Sequence, residues 1–212
     1  MTARDEILAR VRSALVDVPA DDQVEVDWVY ATPTAVTSVI DTFIENIVDY
    51  GASLTRVTRE GLAGEIARAL TSMGARSVVV PHDVDEDWLS GLADLEVHRD
   101  QGHLSARELD GIDAVVTGSV VSSAETGTIC LDHGPGQGRR AISLVPDRHV
   151  CVVEADSVFS DIPEVVARLQ ASVEAGRPIT WISGGSATSD IELDRVEGVH
   201  GPRTLHVVLV VG

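Results

Sequence analysis

The chain has 212 residues, of which 44% are hydrophobic, so it is long enough to bury the core of one main domain. Its formal net charge is -18 and all 16 basic residues are arginine, which makes nucleic acid and anionic membrane surfaces poor partners. The sequence shows no N-terminal targeting signal and no apolar run of about 18 residues, and this predicts a soluble cytoplasmic protein without a membrane span.

Residues 1–33 are predicted to form a helical arm and an acidic linker. Thr2 and Asp5 make a capping pattern, and apolar positions between Ile7 and Leu15 fall on one helical face. From Val18 to Pro33 the periodicity is lost and acidic residues accumulate, as in a linker. The apolar stripe of the helix requires a partner, which is either its own domain or another chain, including a second copy.

Residues 34–212 are predicted to form an α/β domain with a mostly parallel sheet and helices on both faces. Helix and strand alternate through the first half of this region, which is typical of a parallel sheet covered by helices. The predicted helices lie at Val36–Val48, Leu62–Met73, Trp88–Leu92, Ser105–Glu108 and Ile162–Val173. The predicted strands of this pattern are Leu54–Val57, Ser77–Val80, Leu95–His98, Ile112–Thr117, Ile179–Ile182 and Leu205–Val211.

Three further apolar runs are separated by loops too short to hold a helix, namely Gly127–Leu131, Ala141–Leu144 and His149–Glu154. They predict strands that pair antiparallel or extend the sheet at its edge. Cys130 and Cys151 are the only cysteines, and both are predicted to be core residues. Because two thiols cannot hold a four-thiolate cluster, the chain is predicted to carry no metal and no cofactor.

The polar turn Ser122–Thr128 follows the predicted strand Ile112–Thr117. A carboxylate at the carboxyl end of a central strand is well placed to act as a nucleophile or base, which makes Glu125 a candidate catalytic residue. Thr126 and Gly127 belong to the same turn and are candidate ligand contacts. The alternative is that Glu125 and Thr126 only cap the turn.

Three alternating glycines lie in the segment Asp132–Arg140. The spacing does not fit a dinucleotide fingerprint, and a P-loop is excluded because the chain has no lysine. A flexible hairpin loop is favoured over a nucleotide site. Arg139 or Arg140 could still close over an anionic ligand.

The last predicted site is a pair of turns flanked by two strands. Ser183–Ser186 is a glycine turn, and Ser189 with Glu192 forms a capping pattern that predicts a helix start, so an anion could meet convergent N–H groups there. An ordinary strand–helix connection is the alternative. His200 is either a turn residue or a candidate catalytic residue next to Arg203. The candidate ligand-binding residues of both turns are Ser183, Gly184, Gly185, Ser186, Thr188, Asp190 and Arg203.

The segments Glu125–Thr128, Ser183–Glu192 and Gly198–Arg203 resemble the signature segments of the lactate-utilization (LUD) domain family. The resemblance runs from about residue 35 to the C-terminus, and the family often has proline where Gly185 stands. It implies a fold similar to the group of ribose-5-phosphate isomerase, glucosamine-6-phosphate deaminase and CoA transferases. It also implies a part in the oxidation of L-lactate to pyruvate, beside partner proteins that carry iron–sulfur clusters.

Two functional hypotheses follow. In the first, the chain is a non-redox subunit of a lactate-oxidising system, binds a small carboxylate or phosphate, and docks to iron–sulfur partners. In the second, it is a free-standing enzyme that acts on a CoA thioester or sugar phosphate, with Glu125 as nucleophile or base.

If the turns at Glu125 and Ser186 belong to one site, the strands ending near Thr117 and Ser183 are expected to be neighbours in one sheet.

Overall fold

The computed structural model describes residues 2–18, 34–189, 195–198 and 200–212. The chain divides into two compact units, Met1–Thr32 and Pro33–Gly212. The helices are α1 (Ala3–Ala14), α2 (Val39–Asp49), α3 (Leu62–Ser72), α4 (Ala106–Asp110) and α5 (Ile162–Glu174). The strands are β1 (Ser53–Val57), β2 (Ser77–Pro81), β3 (Glu96–Asp100), β4 (Ala114–Thr117), β5 (Val121–Ser123), β6 (Thr128–Leu131), β7 (Arg148–Glu154), β8 (Val158–Phe159), β9 (Thr180–Ile182), β10 (Ala187–Ser189), β11 (Arg195–Glu197) and β12 (Thr204–Val210). None of the described helices is both long and apolar enough to cross a membrane.

The predicted N-terminal helix is confirmed as α1. The Thr2 hydroxyl accepts the Asp5 N–H, and the Asp5 carboxylate accepts the Thr2 N–H at 2.9 Å, so the helix begins with a capping box. Its apolar side chains are exposed, with 62% of Ile7 and 55% of Leu15 accessible. Residues 19–33 of the predicted linker lie outside the described residues, and the docking of the helix stays a prediction.

A six-stranded parallel sheet forms the centre of the second unit, in the order β1-β12-β7-β4-β2-β3. Side chains alternate between its two faces. On β12, Val208 and Val210 join the core under α3, whereas Val207 and Leu209 join the core on the opposite face, where α2 packs. The predicted parallel sheet with helices on both faces is therefore confirmed.

A second, four-stranded sheet packs on the α2 face of the first sheet, in the order β8-β5-β6-β9. Ile129 and Leu131 of β6 point into the core shared with the large sheet, and Cys130 points outward to α5. The predicted antiparallel pairing of Gly127–Leu131 is confirmed, because β6 is antiparallel to β5 and β9. The strand does not extend the edge of the parallel sheet, since it belongs to a separate layer.

His149–Glu154 is confirmed as a strand, β7, but its predicted antiparallel or edge placement is wrong, because β7 is central and parallel to β4 on one side and to β12 on the other. The strand predicted at Ala141–Leu144 is wrong. Ala141–Leu144 overlaps a 3-10 helix, Arg140–Ser143, whose Ile142 packs on the parallel sheet. Sequence spacing misled here because the partners of β7 come from distant parts of the chain.

The segment Asp132–Arg140 is not a hairpin loop, as predicted, but the connection from β6 to the 3-10 helix. Side-chain hydrogen bonds fix it: Asp132 accepts the N–H of Gly134 and a side-chain N–H of Gln137. Arg139 donates to both carboxylate oxygens of the buried Asp100, at 2.7 and 3.2 Å. The Arg139 side chain is thus held in a structural ion pair, whereas the neighbouring Arg140 is exposed.

Candidate functional site

A cavity of about 240 Å³ lies between the two sheets, at the amino ends of β7 and β12. His149 and Leu205, the second residues of these strands, line it from the parallel sheet. The remaining walls come from the segment Thr180–Ala187, from Ser143 and Leu144, and from the loop His200–Pro202. Open α/β sheets usually bind ligands beyond the carboxyl ends of their strands, so this cavity lies at the opposite edge.

The glycine turn after β9 forms one wall because it packs tightly against its neighbours. Gly184 has φ +79 and lies against the carbonyl of Tyr50, and Gly185 lies against the carbonyl of Arg203. A Cβ atom at either glycine would collide with backbone. Glycine is therefore required at both positions for the turn to reach the cavity.

Ser186 links the glycine turn to the loop that carries His200. Its N–H donates to the Pro202 carbonyl at 2.7 Å, and its hydroxyl accepts the His200 N–H at 3.1 Å. The hydroxyl keeps its own hydrogen for a ligand. Within the described residues, the N–H groups of Gly184 and Gly185 meet no acceptor, so they are the backbone donors that an anion would find here.

His149 is the buried polar residue of the cavity. Its side chain is 1% exposed and lines the cavity, and its Nε2 lies 2.8 Å from the Thr117 hydroxyl, so Nδ1 is the ring nitrogen that Thr117 does not engage. Burial lowers the pKa of His149 from 6.5 to about 4. The imidazole is therefore neutral at neutral pH, when it can offer a ligand one hydrogen-bonding nitrogen without a charge.

We expect His149 to make the folded chain less stable as the pH falls from 6.5 to 4. In that range the unfolded chain binds a proton at this histidine and the folded chain does not, so the free energy of unfolding rises with pH. The expected contribution is about 3 kcal/mol, at 1.36 kcal/mol per pH unit. Urea unfolding between pH 4 and 7 measures it. His149→Gln should flatten the plot of unfolding free energy against pH, whereas His103→Gln, which alters an exposed histidine, should leave it unchanged. Equal slopes for the two variants would contradict the lowered pKa of His149.

The turn that carries Glu125 lies next to the cavity but outside its wall. Glu125 follows β5 in the small sheet and not the central strand β4, so the expectation that it sits at the carboxyl end of a central strand is wrong. Its side chain is exposed, 3.4 Å from the Thr34 hydroxyl. Hydroxyl groups of Thr126, Thr128 and Ser183 form a chain with spacings of 2.7 and 2.8 Å, which joins the two predicted turns.

The strands that end at Thr117 and Ile182 are not neighbours, contrary to the expectation for a site shared by the Glu125 and Ser186 turns. β4 ends at Thr117 in the six-stranded sheet, and β9 ends at Ile182 in the four-stranded sheet. The turns approach each other because β6, which follows the Glu125 turn, and β9, which precedes Ser183, are antiparallel neighbours in the small sheet. Gly127 packs against Asn46 at the end of α2.

Arg203 lies in a neighbouring groove and does not line the cavity. The groove has a volume of about 830 Å³ and contains the side chains of Arg140, Arg148 and Arg203. Arg203 forms an ion pair with Asp147 at 3.3 Å. His200 lines both the groove and the cavity, so the two are adjacent. The predicted pairing of His200 with Arg203 on one ligand thus requires a ligand that reaches from one space into the other.

The predicted helix start at Ser189 is wrong, because Ser189 ends strand β10, which pairs antiparallel with β11. Ser189 is opposite Arg195, and Thr188 is opposite Val196. Asp190 lies outside the described residues. The anion site therefore gains no helix N-terminus at Ser189, and its donors are those of the glycine turn itself.

A model of the LUD domain family matches residues 40–210, which include the glycine turn, His149 and His200. The chain belongs to the LUD domain family. Lactate utilization protein C of Deinococcus radiodurans is 51% identical over 178 residues, or 84% of this chain and 82% of that protein. Lactate utilization protein C of Geobacillus thermodenitrificans is 30% identical over 169 residues, or 72% of this chain and 70% of that protein.

The fold of this LUD domain is similar to that of a solved relative. The crystal structure of a DUF162 family protein from Deinococcus radiodurans has 46% sequence identity to the chain and a TM-score of 0.71. The match covers 82% of this chain and 96% of the other. The stacked sheets described above are therefore consistent with a fold already observed within the family.

The cavity of the LUD domain contains one histidine that the sequence reasoning missed. His149 was assigned only to an apolar strand, together with Cys151. A histidine inside an otherwise apolar strand needs a hydrogen-bonding partner, and this signal could have marked it. The partner, Thr117, was not identifiable from sequence, because it comes from a strand 32 residues away.

The described part of the LUD domain contains no group of three or more His, Cys, Asp or Glu side chains placed to hold a metal ion. Burial raises the pKa of both thiols, Cys130 and Cys151, to about 12. Neither is therefore a thiolate at neutral pH, which is the form that binds metals. The absence of a metal or cofactor in this chain stays a prediction.

Proposed function

We propose that this chain is a component of an L-lactate utilization system and binds a small carboxylate in the cavity beside His149. The cavity is the observation that carries the proposal. It lies between two stacked sheets, is open at the amino ends of the strands, and combines apolar walls from Leu144 and Leu205 with polar groups from the glycine turn. The names of the relatives supply the metabolic context.

The size of the cavity favours a ligand of a few carbon atoms. Its volume of about 240 Å³ is below the range of roughly 300–1,000 Å³ that holds drug-sized ligands. Lactate or pyruvate fits this space, with the methyl group against an apolar wall. CoA is much larger and would have to extend into the adjoining groove.

The polar groups of the cavity suit a carboxylate. The N–H groups of Gly184 and Gly185 and the hydroxyl hydrogen of Ser186 are donors, and Nδ1 of His149 is the group for a ligand hydroxyl or oxo oxygen. The chain has a charge of -18, so its overall field opposes an anion. In the adjacent groove, Arg140, Arg148 and Arg203 are balanced by Asp110, Asp113 and Asp147, so the attraction for an anion comes from the donors of the cavity itself.

In this proposal the chain does not transfer electrons itself. Its two cysteines are buried thiols on different strands, and neither lines the cavity. Electrons from lactate therefore pass to iron–sulfur partner proteins, as expected from the family resemblance. The role of the chain is to bind and orient the small acid next to those partners.

Binding is tested by titration calorimetry with L-lactate, pyruvate and inorganic phosphate. His200→Ala should weaken binding about tenfold, or 1.4 kcal/mol, because the loop loses a polar side chain at the cavity. His103→Ala is the matched control, since His103 is exposed and remote in sequence from both turns. A host strain without the gene should also grow on glucose but not on L-lactate.

Two results would contradict the proposal. The first is that none of the three ligands binds to the wild-type chain at millimolar concentration. The second is that His200→Ala and His103→Ala bind a ligand equally well, which would place the ligand elsewhere. Normal growth of the deletion strain on L-lactate would refute the metabolic role.

The alternative enzyme hypothesis has weaker support. It requires Glu125 beside a bound thioester or sugar phosphate, and Glu125 is exposed outside the cavity wall. The backbone around Glu125 is fixed by Asn46, whose side chain donates to the carbonyls of Ala124 and Glu125 at 2.8 and 2.9 Å. These contacts indicate that the turn carrying Glu125 has a structural role.

A further inference from the structure

A second polar cluster lies on the other face of the parallel sheet, under α3. Ser53 and His206 are direct neighbours on β1 and β12, and the Ser53 hydroxyl lies 2.7 Å from Nδ1 of His206. Nε2 of His206 lies 3.3 Å from the Thr55 hydroxyl and 3.5 Å from the Glu65 carboxylate. Arg68 donates to Glu65 from Nε at 2.9 Å and thereby holds the carboxylate in place.

The charge near Nε2 favours one tautomer of His206. The Glu65 carboxylate lies 3.5 Å from Nε2, at the limit of a hydrogen bond, and because it accepts but cannot donate, it favours the imidazole with its proton on Nε2. Nδ1 then carries the lone pair, and it faces the Ser53 hydroxyl. The arrangement is a hydroxyl, a base and a group that orients the base, which is the pattern of an activated nucleophile.

The base is buried and the hydroxyl is accessible. His206 and Glu65 are each 8% exposed, whereas Ser53 is exposed at the amino end of the edge strand β1. Burial lowers the pKa of His206; the negative charge of Glu65 opposes this, and the positive charge of Arg68 adds to it. The imidazole is neutral at neutral pH and can accept a proton.

A purely structural role explains why the buried imidazole has hydroxyl partners, but it does not require one of them to be exposed. At Nε2 the Thr55 hydroxyl lies at 3.3 Å, and the Glu65 carboxylate at 3.5 Å is at the limit of a hydrogen bond. The Ser53 hydroxyl has one other acceptor nearby, the Leu205 carbonyl at 3.5 Å, which is at the limit of a hydrogen bond. The short contact to Nδ1 is therefore the main interaction of an exposed hydroxyl.

We propose that Ser53 is an acyl-acceptor site, at which His206 acts as the base. In the step, the Ser53 oxygen forms a bond to the acyl carbon of an activated ester or acyl phosphate. The hydroxyl proton moves to Nδ1 of His206, and the bond from the acyl carbon to the leaving oxygen breaks. The leaving group departs as an anion, and His206 returns its proton to solvent.

The test uses p-nitrophenyl acetate on the full chain, with peptide mass mapping of the acetylated residues. Ser53 should be acetylated about 100-fold faster than Ser90, an exposed serine without a histidine partner, since a positioned base contributes about 100-fold or more. Ser53→Ala should abolish the fast phase of nitrophenolate release. His206→Gln should slow acetylation of Ser53 by the same factor of about 100.

A pH profile of the wild-type chain keeps the proposal testable if His206→Gln fails to fold. Acetylation of Ser53 through a neutral imidazole reaches a plateau near neutral pH and declines at acid pH. A serine without a base reacts in proportion to hydroxide across the whole range. Labelling of Ser53 at the rate of Ser90, or a profile without a plateau, overturns the proposal.

Discussion

Replacing Gly184 by alanine is expected to lower the free energy of unfolding by about 2 to 5 kcal/mol, because a left-handed backbone costs about 1–2 and overpacking about 1–3 kcal/mol. Gly184 has φ +79, and an added Cβ would collide with the Tyr50 carbonyl. The collision pushes the glycine turn away from α2 and distorts the cavity wall. Binding of the small carboxylate should be lost together with stability.

Urea unfolding and titration calorimetry of Gly184→Ala measure both effects. Gly64→Ala is the matched control, since Gly64 lies in α3 and a Cβ there meets no other atom. Alanine in a helix is favoured over glycine by about 0.5–1 kcal/mol, so this control should gain stability. If Gly184→Ala remains as stable as the wild-type chain, the close contact between the turn and α2 is not present in solution.

Replacing Asp132 by alanine is expected to cost about 3 kcal/mol of stability, at the lower end of the range for breaking a buried ion pair. Asp132 is 3% exposed and accepts hydrogen bonds from Ser172, Gly134 and Gln137. Arg177 forms an ion pair with it at 3.0 Å. The variant leaves these donors without their common acceptor in a buried site.

The effect of Asp132→Ala should depend on pH. Burial by itself raises the pKa of Asp132, but hydrogen bonds from Ser172, Gly134 and Gln137 and the charge of Arg177 outweigh it, and the pKa lies below 3.8. The stabilisation is therefore complete above pH 3.8 and is lost as the pH falls through the folded pKa. Unfolding at pH 7 and pH 3 measures this dependence. Asp147→Ala, which removes an exposed ion pair, should change stability by less than about 1 kcal/mol at either pH.

The loop after β6 shows how far a local pattern can be interpreted. The glycine spacing between Asp132 and Arg140 does not fit a dinucleotide fingerprint, and it suggested a flexible hairpin. The structure instead has a loop fixed by Asp132, Gln137 and Arg139. Those contacts join the loop to Asp100 and Ser172, which are 39 and 40 residues away from their partners, so no local pattern contains them.

The candidate site illustrates the same limit. Ser183–Ser186 and His200 were identified from local turn chemistry, and they line one cavity. His149 was not identified, because its role depends on Thr117 and on a layer of β-structure packed over β7. Glu125 was placed after a central strand because β5 has only three residues and left no clear strand pattern.

The sequence by itself determined the α/β class, the positions of most helices and strands, and the glycine turn. These features depend on residue periodicity, capping and backbone sterics, which act over a few neighbouring residues. The tertiary structure alone decided that β6 belongs to a second sheet, that β7 is central, and that the cavity opens at the amino ends of the strands. Those outcomes depend on which apolar faces pack together, and packing joins residues that are far apart in the chain.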